Sequence, residues 1–356
     1  MTSLKELRVK AVSLLKESAP VHGKFKVVLM PDFYVDRVIY PPFTLEELLE
    51  IIKEYAERGG GGLQDIKQEI LRGGNAANTA AVLSRLGIGS YLIVETDELG
   101  LHLMKYFFRK TSVNLEHVKT TGALSRTTSF EIKIGDNVAN VMFGYAGSLA
   151  NLHPDRLSEE DIELLREADI VGIFNWAGNR HGTEFFKEVC KVVKEEGRGK
   201  VFADIADPRP RIKELNGLVR NVLSKGFVDY LGLNEIEAEV LVKTSFSRGK
   251  VYEGLAKASE EWNMVFILHT SYYSKVFDPK KSGIRVPSFK VTPLRSTGAG
   301  DSFNAGVIYS LLLGFNYETM LTVANGVAGY YISKEHSPSL EELIHFIKTT
   351  PLRDER

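Results

Sequence analysis

Short apolar runs of five or six residues alternate along this chain with stretches whose apolar positions recur every three or four residues. The runs at 26–30, 91–95, 169–174, 200–205, 228–233 and 264–269 predict buried strands. The periodic stretches at 76–86, 159–168, 183–196, 236–242 and 252–262 predict helices. Alternation sustained over this length argues for a mostly parallel sheet covered on both faces. Ligands on such a sheet bind beyond the carboxyl ends of its strands. Two stretches break the pattern: 64–71 and 127–145 alternate apolar and polar residues with a period near 2, the second around Gly135-Asp136-Asn137. They predict an antiparallel flap over one edge of the main sheet. A helix at 45–58 and a connecting glycine run at 59–62 precede the first flap strand. Leu4, Leu7, Ala11, Leu14 and Leu15 recur at helical spacing among charged residues, which predicts an amphipathic surface helix and not a signal peptide.

Composition narrows the class. The 356 residues suffice for one large α/β domain, and 44% apolar with 26% charged residues is ordinary for a globular chain. A net charge of −1 gives no electrostatic case for nucleic acid or an anionic membrane. No apolar run reaches the roughly 18 residues needed to span a bilayer. Cys190 stands alone, so no disulfide framework or cysteine metal site is built, and the eight histidines include no His-x-x-x-His pair. These features point to a cytoplasmic enzyme or binding protein.

Candidate chemistry concentrates at two glycine–helix junctions. From residue 295 to 306 the chain reads Arg-Ser-Thr-Gly-Ala-Gly-Asp-Ser-Phe-Asn-Ala-Gly, and an apolar helical pattern follows. The free N–H groups of Gly298, Ala299 and Gly300 at a helix start favour an anion. A carboxylate beside them, Asp301, would repel a phosphate unless it removes a proton from the hydroxyl that attacks it. The dinucleotide fingerprint fails, because its last position is Phe303. Upstream, Arg72-Gly-Gly-Asn-Ala-Ala-Asn78 places two amides, Asn75 and Asn78, at the opening of a helix. Their paired donors and acceptors suit a polyhydroxylated ligand. Taken alone, the first junction also reads as an N-capped packing turn, and the second as a cap with a solvated neighbour.

Together the junctions resemble the ribokinase-like (PfkB-type) carbohydrate kinases, over about residues 24–348. Supporting matches follow in order: Asp97-Glu98-Leu99-Gly100, Asp207-Pro208-Arg209, and Asn234-Glu235-Ile236-Glu237. The resemblance implies a three-layer α/β/α sandwich forming a single domain over 1–356. A small β-lid would come from 31–72 and 122–147, with a surface helix within 1–24. It implies Asp301 as general base and Gly298–Gly300 as the anion hole. Asp36, Gly73, Gly74, Asn75, Asn78 and Asn175 would line the sugar site. Asn234, Thr270, Thr297 and Asn325 would hold ATP, and Glu237 would organise Mg²⁺. The expected activity is phosphoryl transfer to a hydroxyl of a sugar or polyol. A nucleoside acceptor, ADP as donor, and a non-catalytic binding regulator on the same fold are the alternatives. The apolar lid face (Phe130, Ile132, Val141, Phe143) reads either as the surface of a homodimer or as the underside of the lid, and the sequence does not fix the oligomeric state. Arg295 stands where the family usually carries an Asp that helps hold a monovalent cation, which puts dependence on K⁺ in question. Trp176, at the end of a strand, is read either as closing the core or as stacking on a ring.

Overall fold

The strand Val27–Met30 shows how the layers arise. All four of its side chains are buried, with Val27 and Leu29 in one core and Val28 and Met30 in another. A strand apolar at every position is the mark of a sheet covered on both faces. In the computed structural model, which describes residues 3–18, 23–135, 137–246, 250–294 and 297–353, this strand is the seventh of nine in the central sheet.

In chain order the strands are β1 (Val27–Met30), β2 (Tyr34–Tyr40), β3 (Lys67–Gly73), β4 (Ser90–Leu92), β5 (Val94–Glu95), β6 (Val113–Asn114), β7 (Val118–Lys119) and β8 (Ser125–Ile134). They continue as β9 (Asn137–Tyr145), β10 (Ile170–Phe174), β11 (Lys200–Asp204), β12 (Tyr230–Leu233), β13 (Val265–His269), β14 (Tyr273–Asp278) and β15 (Lys281–Pro287). The central sheet runs β15-β14-β13-β12-β11-β10-β1-β4-β6. Every neighbouring pair from β13 to β6 is parallel, and only β14 runs against the rest, pairing antiparallel with both β13 and β15. One core packs the helices Asn75–Arg85, Ala299–Leu312, Tyr317–Lys334 and Leu340–Thr349 on the sheet; the other packs Gly182–Lys191, Ile212–Asn221, Glu235–Phe246 and Val251–Trp262. The result is the three-layer α/β/α sandwich with a mostly parallel centre.

A second sheet of order β3-β2-β8-β9 takes the place of the expected flap, but it is not wholly antiparallel: its two hairpins, β2–β3 and β8–β9, join through the parallel pair β2–β8. Its pairing divides its side chains between two faces. Tyr34, Asp36 and Val38 share a face with Thr127, Ser129 and Met142, while Phe130, Val141 and Phe143 lie on the opposite one. Strand β2 has no clean period because tyrosine falls on the same face as Asp36 (Tyr-Val-Asp-Arg-Val-Ile-Tyr). The stretch expected as one strand at 91–95 is divided: β4 belongs to the central sheet, while β5 pairs with β7. The helix expected at 183–196 is α-helical over Gly182–Lys191 and widens into a π-turn at Val192–Glu196. The N-terminal helix Leu4–Glu17 carries a capping box (Ser3 and Glu6) and buries Leu7, Ala11 and Leu15. Among the described residues, no helix is long and apolar enough to cross a membrane.

Candidate active site

Strand β1 ends at Met30, and two residues later Asp32 turns its carboxylate beneath the helix Asn75–Arg85. Its Oδ1 accepts the N–H of Ala76 at 2.8 Å and its Oδ2 that of Asn75 at 3.0 Å. The helix's own N-cap, Gly74, has no side chain for this task, so a distant strand end supplies the cap. Gly74 sits at φ 93°, and a Cβ there would lie 2.9 Å from the Asp32 carbonyl oxygen. Only glycine fits the junction. Asn175, in the left-handed region just past β10, donates Nδ2 to Asp32 Oδ2 at 2.9 Å and accepts the N–H of Gly178 at 3.0 Å. Burial raises the Asp32 carboxyl above its ordinary range, and these hydrogen bonds oppose the rise.

Facing it, the helix Ala299–Leu312 starts from Gly298 at φ 86°. Asp301, in the first turn and 9% exposed, accepts Nδ2 of Asn78 at 2.9 Å. The Oδ1 of Asn78 accepts Nε of Arg72 at 3.1 Å. Because one end of the Asn78 amide meets a donor and the other an acceptor, its orientation is fixed, and with it the Asp301 carboxylate. Burial pushes the Asp301 carboxyl up to about 8. The Asn78 hydrogen bond opposes the shift, while the nearby negative Asp204 and Asp32 add to it. That is the range in which a carboxylate becomes an effective base near neutrality.

A cleft of about 1260 Å³ lies over these groups, under the second sheet. Asp36, Gly74, Asn75, Asn78, Asn175, Thr297, Gly298 and Asp301 all form its wall. Asp36, opposite Thr127, is likewise raised by burial, with a Thr127 hydrogen bond opposing. Gly73 packs behind Asp36, and a Cβ there would overlap its carboxylate.

The remaining expected residues lie outside that wall. Asn234 and Glu237 cap one another: Asn234 donates N–H at 2.9 Å and Nδ2 at 2.7 Å to the Glu237 carboxylate, and its Oδ1 accepts the Glu237 N–H at 3.0 Å. Burial, and then the neighbouring Asp204, push the Glu237 carboxyl up to about 8. Asp204, at the end of β11, accepts Nδ2 of Asn304 at 2.7 Å and is itself raised by burial. Thr270 spends its hydroxyl on a turn, donating to the Tyr273 carbonyl at 2.9 Å. Asn325 donates to the Val286 and Pro287 carbonyls at 3.3 and 3.2 Å. Trp176 is fully buried, with Nε1 donating to Thr183, so it closes the core. Asp207 and Arg209 pair with each other. His269, held at about 4 by burial, is a neutral imidazole against Phe303 and brings no charge to the helix start. Arg295 lies outside the described residues.

Comparison with known proteins decides the family. The model for the "pfkB family carbohydrate kinase" matches residues 52–341. The chain belongs to the pfkB family of carbohydrate kinases. It is 21% identical over 301 residues to the ribokinase of Haemophilus influenzae, a match that covers 83% of this chain and 93% of that one. It is 25% identical over 299 residues to the 5-dehydro-2-deoxygluconokinase of Bacillus thuringiensis, covering 78% and 86%. The solved Arabidopsis thaliana ribokinase, a complex with ribose and ATP, superposes with a TM-score of 0.72 at 19% identity, covering 91% of this chain and 99% of that one. This pfkB-family enzyme is therefore a phosphotransferase with an alcohol group as acceptor.

Sequence reasoning gave no role to Asp32 and Arg72, which line the cleft, or to the Asp204–Asn304 pair. Asp32 and Asn304 meet partners 43 and 100 residues away, so no local spacing marks them. The one available signal is that Asp32 and Asp204 each fall at the carboxyl end of a predicted strand, where this class of sheet binds ligands.

Proposed function

We propose that this kinase transfers the γ-phosphoryl group of ATP to a hydroxyl of a small sugar or polyol, with Asp301 taking the hydroxyl proton. The observation that carries the reading is the position of Asp301. It lies at a helix start, in the wall of a deep cleft, held by Asn78, with its carboxyl pushed to about 8. Asp36, Asn75 and Asn78 offer acceptors and donors to the hydroxyls of a polyol bound under the second sheet. The N–H groups of Gly298, Ala299 and Gly300, aligned with the helix dipole, stabilise negative charge on the moving phosphoryl group. Asn175 is pinned to Asp32, which fixes the floor on which the acceptor rests.

The acids behind the site suit a hard divalent cation. Asp204, Glu237 and Asp301 are buried, Asp204 raises both of the others, and a cation favours their ionised forms. Among the described residues their oxygens do not converge within one coordination sphere. That favours Mg²⁺ held mainly through waters and donor phosphates, with Glu237 as its protein anchor. When bound, the ion neutralises charge on the donor phosphates.

The opposite face of the second sheet exposes Val141, Phe143 and Tyr145 at 41%, 65% and 54%. We assign that face to a second copy of the chain, so that two lids cover each other's apolar sides.

The test is direct phosphoryl transfer from labelled ATP, or from ADP, to a panel of sugars, polyols and nucleosides. Product from at least one sugar or polyol with ATP is expected. Nucleotide binding with no product from any acceptor would instead favour a non-catalytic regulator, and product from nucleosides alone would move the acceptor class.

A further inference from the structure

The wall of the cleft is of mixed charge. Besides Asp301 it carries Asp32, Asp36, Glu131 and Glu335, and with them Arg72, Arg85, Tyr331 and His336. Arg72 is packed at the base of β3, its guanidinium carbon 5.5 Å from the Phe108 ring centroid. Of its five N–H donors, Nε is spent on Asn78. No carboxylate pairs with it among the described residues, and its Nη groups meet no described acceptor. The Tyr331 hydroxyl, beside Gly298, likewise makes no hydrogen bond to a described residue. Arg85 is partly committed, to Glu342 at 2.9 Å and to the Ser337 carbonyl at 3.2 Å. The His336 ring contacts the Ser337 carbonyl.

Asp301, one amide away, attracts the Arg72 guanidinium without touching it. Enclosed Nη donors left without an acceptor are costly, and their planar fork matches two oxygens of one ligand. We infer that this part of the cleft wall is an oxyanion site, in which Arg72 and the Tyr331 hydroxyl grip a carboxylate or phosphate. The anion arrives either as an acidic group of the acceptor or as free inorganic phosphate. The Tyr331 hydroxyl lies beside Gly298, so the site adjoins the anion hole at Gly298–Gly300, and the Arg72 and Tyr331 variants tell the two apart.

Binding is measured without nucleotide, by thermal shift and calorimetry at fixed ionic strength with KCl as the control. The probes are inorganic phosphate, ribose 5-phosphate against ribose, and gluconate against glucitol. Saturable binding of at least one anionic probe is expected, at least tenfold weaker in Arg72→Gln and partly restored in Arg72→Lys. Tighter binding of ribose 5-phosphate or gluconate than of inorganic phosphate assigns the anion to the acceptor; equal or weaker binding assigns it to free phosphate. Should Arg72→Gln fail to fold, Tyr331→Phe is expected to weaken the same probe several-fold. No anion binding above the KCl control, or binding unchanged in the variants, overturns the inference. The readout needs no turnover, so anion binding by a protein that phosphorylates nothing would refute the kinase mechanism and leave this site standing.

Discussion

Asp32 does structural work that its position after a strand does not announce. Three hydrogen bonds converge on it, and two of them come from the first N–H groups of the helix that carries Asn75 and Asn78. Asp32→Ala removes a cap and leaves those donors buried. It is expected to cost about 1–3 kcal/mol in a urea titration and to reduce acceptor affinity, because the helix start moves with it. A variant of unchanged stability would show the cap to be dispensable. Asp301 and Glu237 act in the opposite sense. Both carboxyls are pushed up to about 8, so the folded chain keeps protons that the unfolded chain has released. Their favourable contribution is complete below the ordinary carboxylate range and is lost as pH rises through about 8. In EDTA the protein should be less stable at pH 8 than at pH 5. Asp301→Asn should narrow that gap, since a neutral amide carries no buried charge; an equal gap in wild type and variant would argue against it. Added Mg²⁺ should raise the melting temperature more at pH 8 than at pH 5.

At the scale of elements, the two glycine junctions were legible because their requirement is steric and local. Gly298 holds a positive φ beside the Tyr331 ring, and Gly298→Ala is expected to cost about 1–3 kcal/mol and to impair turnover by displacing the helix start. Unaltered kinetics in that variant would detach the junction from catalysis. The apolar runs of β10 to β13 were equally legible, since a strand buried on both faces has nowhere to place a polar residue. Strand β2 was not. It faces a cleft on one side and an outer surface on the other, and Asp36 and two tyrosines stand on the cleft side, where alternation would place apolar side chains. The division between β4 and β5 was hidden for a related reason, as one apolar run feeds two sheets. Thr270 gives its hydroxyl, and Asn325 its Nδ2, to nearby carbonyls, a use that composition cannot distinguish from ligand binding.

Across the whole molecule, the sheet order brings four acids from distant parts of the chain to one edge. Asp32 follows β1, Asp204 ends β11, Glu237 follows β12 and Asp301 opens a helix packed beside the one at Asn75. The parallel topology was predictable from strand–helix alternation, and it entails this convergence. Which acids converge follows from strand order, and strand order leaves no local trace. The second sheet roofs the cleft lined by Asp32 and Asp301 on one face and exposes an apolar surface on the other. Phe143→Lys is therefore expected to shift the protein toward monomer in sedimentation, with the transferase chemistry of each subunit retained. A wild-type chain that sediments as a monomer at all concentrations would refute the paired lids. The most direct test of the account lies in the base itself. Turnover of Asp301→Asn with a proven acceptor should fall roughly 10²- to 10⁴-fold while nucleotide affinity is preserved; turnover near that of the wild type would contradict it.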